Sequence, residues 1–283
     1  MTLVMDGNAT AKAVQEKIAQ DVEKLKSTGK RPGLAVVLVG EDPASKVYVG
    51  RKKKACDTLG YYSEEYKLPS DTKEADLLDL IKKLNAKPEI NGILVQFPLP
   101  NGLNQQKVIE TIDPEKDVDG MHPNSLGKLV AGLPGLRSCT PAGVMVMLEH
   151  YGISVAGKDA VVIGRSIMVG KPMAQLLIEA NATVTVCHSK TKNIGEVIKR
   201  ADIVVAAIGK PKFVKADMVK DGAVVVDVGI NRTEDGKLVG DVDYEAIAPK
   251  ASAITPVPGG VGPMTIALLM KNTYQAFLKQ TGL

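Results

Sequence analysis

The sequence predicts an α/β protein of two units, each with a mostly parallel sheet covered by helices. Three observations carry that reading. Short apolar, β-branched runs alternate with amphipathic segments along nearly the whole chain, the pattern of strands buried on both faces. The alternation breaks once, between Asp113 and Thr140, where Gly, Pro, Asn and Asp accumulate, and then resumes. A length of 283 residues also suits two domains.

The elements follow in order. Val14, Ile18, Val22 and Leu25 recur at helical spacing and stop before Gly29. GLAVVLVG reads as a buried strand, SKVYVGRKKKACDTLG as a helix and YYSEEYKL as a weaker strand. In DTKEADLLDLIKKLNA, Asp71 and Glu74 stand at capping-box spacing, which predicts a helix start at Asp71. NGILVQFPLP is a strand that runs into a proline-broken loop, and a short helix fits Leu126 to Val130. The second half reads as helix PAGVMVMLEHYG, strand DAVVIG, helix GKPMAQLLIEAN, strand ATVTVCH, helix NIGEVIKR, and strands DIVVAAIG and AVVVDVG. PVPGGVGPMTIALLMKNTYQAFLKQ closes the chain as a tight loop leading into a long helix.

Composition narrows the function. Hydrophobic residues at 45% and charged residues at 24% are ordinary for a globular protein. Aromatic content of 4%, with no Trp, argues against a stacking platform for single-stranded nucleic acid. A net charge of +4 suits an anionic ligand and is too small to argue for DNA. Cys56, Cys139 and Cys187 form no CxxC pair, so they read as reduced thiols and not as a disulfide frame or zinc site. His122, His150 and His188 do not cluster, and no metal site is expected. No leader pattern or stretch of membrane-spanning length stands out, which predicts a cytoplasmic protein.

VVIGRSIMVGKP joins a strand to a helix through Gly164, Ser166 and Gly170, one residue longer than the G-x-G-x-x-G fingerprint. Such a turn either brings backbone N–H groups toward a pyrophosphate or is simply a tight βα connection. The next strand separates the cofactors. An NAD site places a carboxylate there for the ribose 2′-hydroxyl. This strand instead ends in His188, Ser189, Lys190 and Lys192, and Arg165 stands in the turn itself, so NADP is favoured.

RKKK, residues 51–54, looks like one basic patch. At about 100° per residue, however, Tyr48, Lys52, Ala55 and Leu59 share a stripe, with Cys56 beside it, and Lys53 falls opposite. Lys52 therefore either snorkels to water or is a partly desolvated amine fit for general-base work. Gln96 ends a parallel strand, where α/β sheets bind ligands; it either orients a ligand group or caps the next loop. Asp117 and Asp119 serve either a ligand's N–H groups or the turn.

YVGRKKKACDTLG, VQFPLP, KDVDG, GRSIMVGKP and PVPGGVGPMT occur in that order. With them the chain resembles the bifunctional methylenetetrahydrofolate dehydrogenase/methenyltetrahydrofolate cyclohydrolase family along essentially its whole length. The resemblance implies two α/β domains around a cleft, the second a Rossmann-like dinucleotide-binding domain, and a homodimer. It implies a folate-binding catalytic domain over 1–139, rejoined by the C-terminal helix 264–283, and an NADP domain over 140–263. It implies oxidation of 5,10-methylenetetrahydrofolate with NADP⁺ and hydrolysis of the product to 10-formyltetrahydrofolate. Lys52 would then be the cyclohydrolase lysine, Gln96 its partner, Tyr48 their neighbour and Asp119 the pterin ligand. Pro258, Gly259 and Gly260 would line the folate site. Gly164, Arg165, Ser166 and Ser189 would hold NADP, with Thr140 and Ile230 near the nicotinamide. Ile167 and Met168 depart from the family's usual polar residue followed by Ile. A shikimate-type dehydrogenase would explain GRSIMVGKP but not VQFPLP with PGGVGPMT. A dinucleotide-binding sensor would not need Lys52, Gln96 and Asp119 together.

Overall fold

The structure, a computed structural model, describes residues 2–283. The chain forms two compact units. One comprises Ala13–Cys139 with Ile266–Leu283; the other comprises residues 2–12 with Thr140–Thr265.

The first unit is built on a three-stranded parallel sheet in the order Tyr62–Leu68, Gly33–Val39, Gly92–Val95. All seven residues of the central strand are buried, as a strand covered on both faces requires. The helix Pro43–Leu59 starts at Asp42, whose carboxylate accepts from the Ser45 N–H at 2.7 Å, and ends at Gly60 in the left-handed conformation. Helix Glu74–Ala86 does not start at Asp71: its N-cap is Lys73, which makes no side-chain cap bond. Glu74 turns outward and accepts from the Asn104 N–H and from Lys107, so a tertiary partner displaces the capping box. The short crossing helix spans Pro123–Val130.

The long last helix, Val261–Thr281, gives this unit Met270, Ala276 and Phe277 as core, and the Tyr61 hydroxyl donates to the Met270 carbonyl at 3.0 Å. Ile93 pairs with Asp117 through an isolated parallel bridge, which lays the turn carrying Asp119 along the strand Gly92–Val95, just before Gln96.

The second unit holds a six-stranded parallel sheet. Its order is Leu3–Val4, Ala253–Ile254, Val224–Asp227, Ile203–Ala206, Asp159–Ile163, Thr183–Cys187. Residues 2–12, expected in the first domain, thus belong to the second: Leu3 pairs with Ala253 and Val4 with Ile254. Two bonded residues leave almost no period-2 pattern to read, which is why the strand is silent in sequence. Asp159–Ile163 has its immediate successor on one side and later strands on the other. Its carboxyl end is therefore a topological switch point, where such sheets take ligands.

Candidate active site

The first unit gathers the lysine side of the site. Lys52 is 5% exposed, while Arg51, Lys53 and Lys54 on the same helix face solvent. The stripe is wider than sequence phase suggests: Ser45 and Val49 are buried with Lys52, Ala55, Cys56 and Leu59. Lys52 does not snorkel. Its Nζ donates to Gln96 Oε1 at 2.7 Å, and Gln96 Nε2 donates to the Phe97 carbonyl at 2.7 Å. That second bond fixes the amide so that its oxygen faces the amine.

Burial pushes Lys52 below the usual lysine range, opposed by the charge of Asp119. Burial likewise pushes the Asp119 carboxyl up, opposed by Lys52. Tyr48 is half-buried on the turn before Lys52, and desolvation raises its hydroxyl. An amine with one neutral acceptor and a nearby carboxylate exchanges protons closer to neutrality than a surface lysine does.

Asp117 serves the turn: its carboxylate accepts from the Met121 N–H, the His122 N–H at 2.8 Å and the Ser125 hydroxyl at 2.7 Å. Asp119 is left free of that work. Two supports escape sequence reading. Cys139 donates its thiol to the Val118 carbonyl at 3.2 Å, and burial raises that thiol well above its ordinary value. Asn272, 3% exposed, donates to the Val118 and Arg137 carbonyls at 2.9 and 2.8 Å, tying the Asp119 turn to the last helix. A lone Asn inside the apolar pattern ALLMKNTY is the signal that marks it.

The second unit carries the dinucleotide turn. Gly164 lies at the switch point with φ +129°, and a Cβ there would fall 2.3 Å from the Ala207 carbonyl oxygen. A Cβ on Gly170 would fall 2.3 Å from the Gly164 oxygen. Ser166 Oγ accepts from the Val169 N–H at 3.1 Å and leads into helix Gly170–Glu179. Arg165, Ser166 and Ser189 are exposed, and Ile230 is 46% exposed. This turn, without a Cβ at Gly164 or Gly170 and with an arginine beside it, fits a dinucleotide pyrophosphate and an extra phosphate. The Thr140 and Thr265 hydroxyls meet at 2.9 Å in the same unit.

Pro258, Gly259 and Gly260 form a loop in this unit as well, with Gly259 at φ +100°. The loop is braced by residues that sequence reading passed over. The Gly7 N–H donates to the Gly259 carbonyl at 2.8 Å, and a Cβ on Gly7 would collide with Gly260. The structure thus brings Lys52, Gln96 and Asp119 together in one unit. It sets the glycine turn, Arg165, Ser166, Ser189, Thr140, Ile230 and Pro258–Gly260 in the other. Among the described residues no group of His, Cys, Asp or Glu is arranged to hold a metal, and no helix is long and apolar enough to cross a membrane.

The family model described as the tetrahydrofolate dehydrogenase/cyclohydrolase catalytic domain matches residues 5–119, and that of the NAD(P)-binding domain matches 138–281. The bifunctional protein FolD of Geotalea uraniireducens is 57% identical over 276 residues, covering 98% of this chain and 99% of its own. The crystal structure of the bifunctional FolD methylenetetrahydrofolate dehydrogenase/cyclohydrolase from Campylobacter jejuni aligns with a TM-score of 0.97 at 48% identity over 99% of each chain. The Trypanosoma brucei dehydrogenase-cyclohydrolase complexed with NADP cofactor and inhibitor aligns at 0.96 with 36% identity, covering 100% of this chain and 99% of that one. Both domain models and these end-to-end likenesses agree: the chain belongs to the tetrahydrofolate dehydrogenase/cyclohydrolase family.

Proposed function

We propose that this protein oxidises 5,10-methylenetetrahydrofolate to 5,10-methenyltetrahydrofolate with NADP⁺ and hydrolyses that product to 10-formyltetrahydrofolate. The observation that carries the reading is the buried Lys52–Gln96 pair beside Asp119, in a chain that also holds the glycine cradle. NADP⁺, when bound, supplies the hydride acceptor. Gly164, Arg165, Ser166 and Ser189 hold it, with Arg165 meeting the 2′-phosphate; Thr140 and Ile230 border the nicotinamide. Asp119 holds the pterin, and Tyr48 borders the folate from the same unit.

In the hydrolysis, the water oxygen bonds to the methenyl carbon and the Lys52 amine takes a water proton, Gln96 Oε1 keeping Nζ in place. The C–N5 bond then breaks. The remaining hydroxyl proton leaves as the C=O bond forms, N5 keeps its electron pair and receives a proton, and the formyl group stays on N10, with one proton released to solvent overall. Supplying or removing one proton at Nζ is what a lysine of lowered pKa does near neutrality.

The test is a paired assay: NADPH formation from methylenetetrahydrofolate, and loss of methenyl absorbance, each with NADP⁺ and NAD⁺. Both activities should appear, with NADP⁺ preferred. Arg165→Ala should raise KM for NADP⁺ about tenfold or more and leave KM for NAD⁺ nearly unchanged, since one charge-assisted phosphate contact is worth about 1.5–3 kcal/mol. Equal losses for both cofactors would remove Arg165 from phosphate recognition.

We also infer a cytoplasmic homodimer. Three buried free thiols suit a reducing compartment. The outer strand Thr183–Cys187 leaves Val186 38% exposed, and Ile178 on the preceding helix is 50% exposed. An unpaired five-residue edge with apolar side chains favours pairing with a second copy. Sedimentation should give twice the chain mass, and Val186→Lys should shift it to one.

A further inference from the structure

Two carboxylates in the second unit are almost without solvent, Asp227 at 3% exposure and Asp241 at 0%. Backbone N–H groups and one side-chain amide surround them. Asp227 accepts from the Gly229, Asp241 and Val242 N–H groups, each at 2.9 Å. Asp241 accepts from the Ile208, Gly209 and Lys210 N–H groups at 2.7, 3.0 and 2.8 Å, and from Asn231 Nδ2 at 2.9 Å. The Asp241 N–H is itself a donor to Asp227, so the two form one chain. A Cβ on Gly240 would fall 1.8 Å from Asp227 Oδ2, and one on Gly229 would fall 2.3 Å from the Asp241 carboxyl. Burial pushes Asp227 up to about 6, opposed by the N–H bonds it accepts.

The segments held this way sit where the dinucleotide reading needs them. Ile208–Lys210 follows strand Ile203–Ala206, and Val228–Asn231 follows strand Val224–Asp227. Both leave the carboxyl edge of the sheet, beside the Gly164 turn that touches Ala207. Three successive backbone N–H groups, with Gly209 at φ +65°, make the concave nest that elsewhere binds an anion. Here the anion is built in.

We propose that Asp241, backed by Asp227, is a positioning residue for the dinucleotide. It fixes the loops at Ile208–Lys210 and Val228–Asn231, including Ile230, in the binding conformation before the cofactor arrives. This rests on the NADP reading above. An asparagine at 241 keeps the shape but turns one oxygen into a donor that faces N–H groups, so part of the nest loses its acceptor.

The experiment is titration calorimetry with NADP⁺ and no folate, together with cofactor-free methenyl hydrolysis and a thermal melt. If the wild-type protein binds no NADP⁺, the dinucleotide reading fails whatever the variants do. With binding in the wild type, Asp241→Asn should weaken NADP⁺ at least tenfold while hydrolysis stays within twofold. Asn231→Ala removes one of the four bonds and should weaken NADP⁺ about threefold with an unchanged melt; it decides the matter if Asp241→Asn does not fold. Unchanged NADP⁺ affinity in the variants overturns the proposal. Parallel loss of binding and hydrolysis, tracking a lowered melt, overturns it too, because that is what a merely structural role produces.

Discussion

Lys52→Met should abolish methenyl hydrolysis, lowering its rate by about 10²–10⁴-fold, while NADP⁺ binding and methylene oxidation persist. Met keeps the length of the stem on the buried face and deletes only the amine that meets Gln96. The fold should not suffer. Burial holds Lys52 below its unfolded value, so the unfolded chain binds that proton more tightly. The lysine therefore costs stability at neutral pH, and the cost fades as pH rises toward the unfolded value. Met has no such cost, and the variant should melt at or above the wild-type temperature.

The pH profile gives the sign independently. If neutral Lys52 is the working form, hydrolysis should climb with pH through an apparent pKa below that of a free lysine. Asp119 is the charge that raises Lys52, so Asp119→Asn should move the ascending limb to lower pH even as it weakens folate binding. Undiminished hydrolysis in Lys52→Met, or a profile unmoved by Asp119→Asn, would take the amine out of the mechanism.

Lys52 shows how far sequence reaches. Helical phase alone separates it from Arg51, Lys53 and Lys54, because burial on a helix follows a period that can be counted. Phase does not tell snorkelling from pairing. That choice depends on Gln96, 44 residues away and brought in by the neighbouring strand. The strands Gly33–Val39 and Asp159–Ile163 are legible because each is a run of apolar residues covered on both faces.

Most of the illegible parts share a cause, that their partners are distant groups brought in by tertiary structure. Asp241 is an ordinary turn aspartate in sequence; its partners at Ile208–Lys210 lie about thirty residues earlier and leave no side-chain pattern. Asn272 likewise bonds carbonyls of another segment. Glu74 fails as a capping partner for the same reason, because Lys107 and the Asn104 N–H claim its carboxylate. The hairpin pairing Asn231–Arg232 with Leu238–Val239 has two-residue strands, too short to show alternation.

Gly164→Ala should be strongly damaging to the second unit. The residue sits at φ +129°, a region L-residues rarely occupy, at a cost of about 1–3 kcal/mol. The added carbon would also lie 2.3 Å from the Ala207 carbonyl oxygen, which is backbone and cannot rotate away. Gly164 is tied from three sides. Its N–H donates to the Cys187 carbonyl at 2.9 Å, its carbonyl borders Gly170, and Ala207 is fixed by donating to the Ile163 carbonyl at 2.8 Å. Relief must therefore come from moving the turn or the Ala207 loop, both parts of the proposed dinucleotide site.

A loss of several kcal/mol is a large part of a total near 5–15. The unit should melt well below wild type, and NADP⁺ should bind at least tenfold more weakly, about 1.4 kcal/mol. Gly157→Ala is the control. It also has positive φ, +71°, but no atom lies within 4 Å of its Cβ position, so it bears only the left-handed cost of about 1–2 kcal/mol. Calorimetry on both variants separates the effects: Gly157→Ala should lose stability and keep its NADP⁺ affinity, and Gly164→Ala should lose both. A Gly164→Ala protein that binds NADP⁺ like wild type would show that the turn's close approach to Ala207 does not serve the dinucleotide.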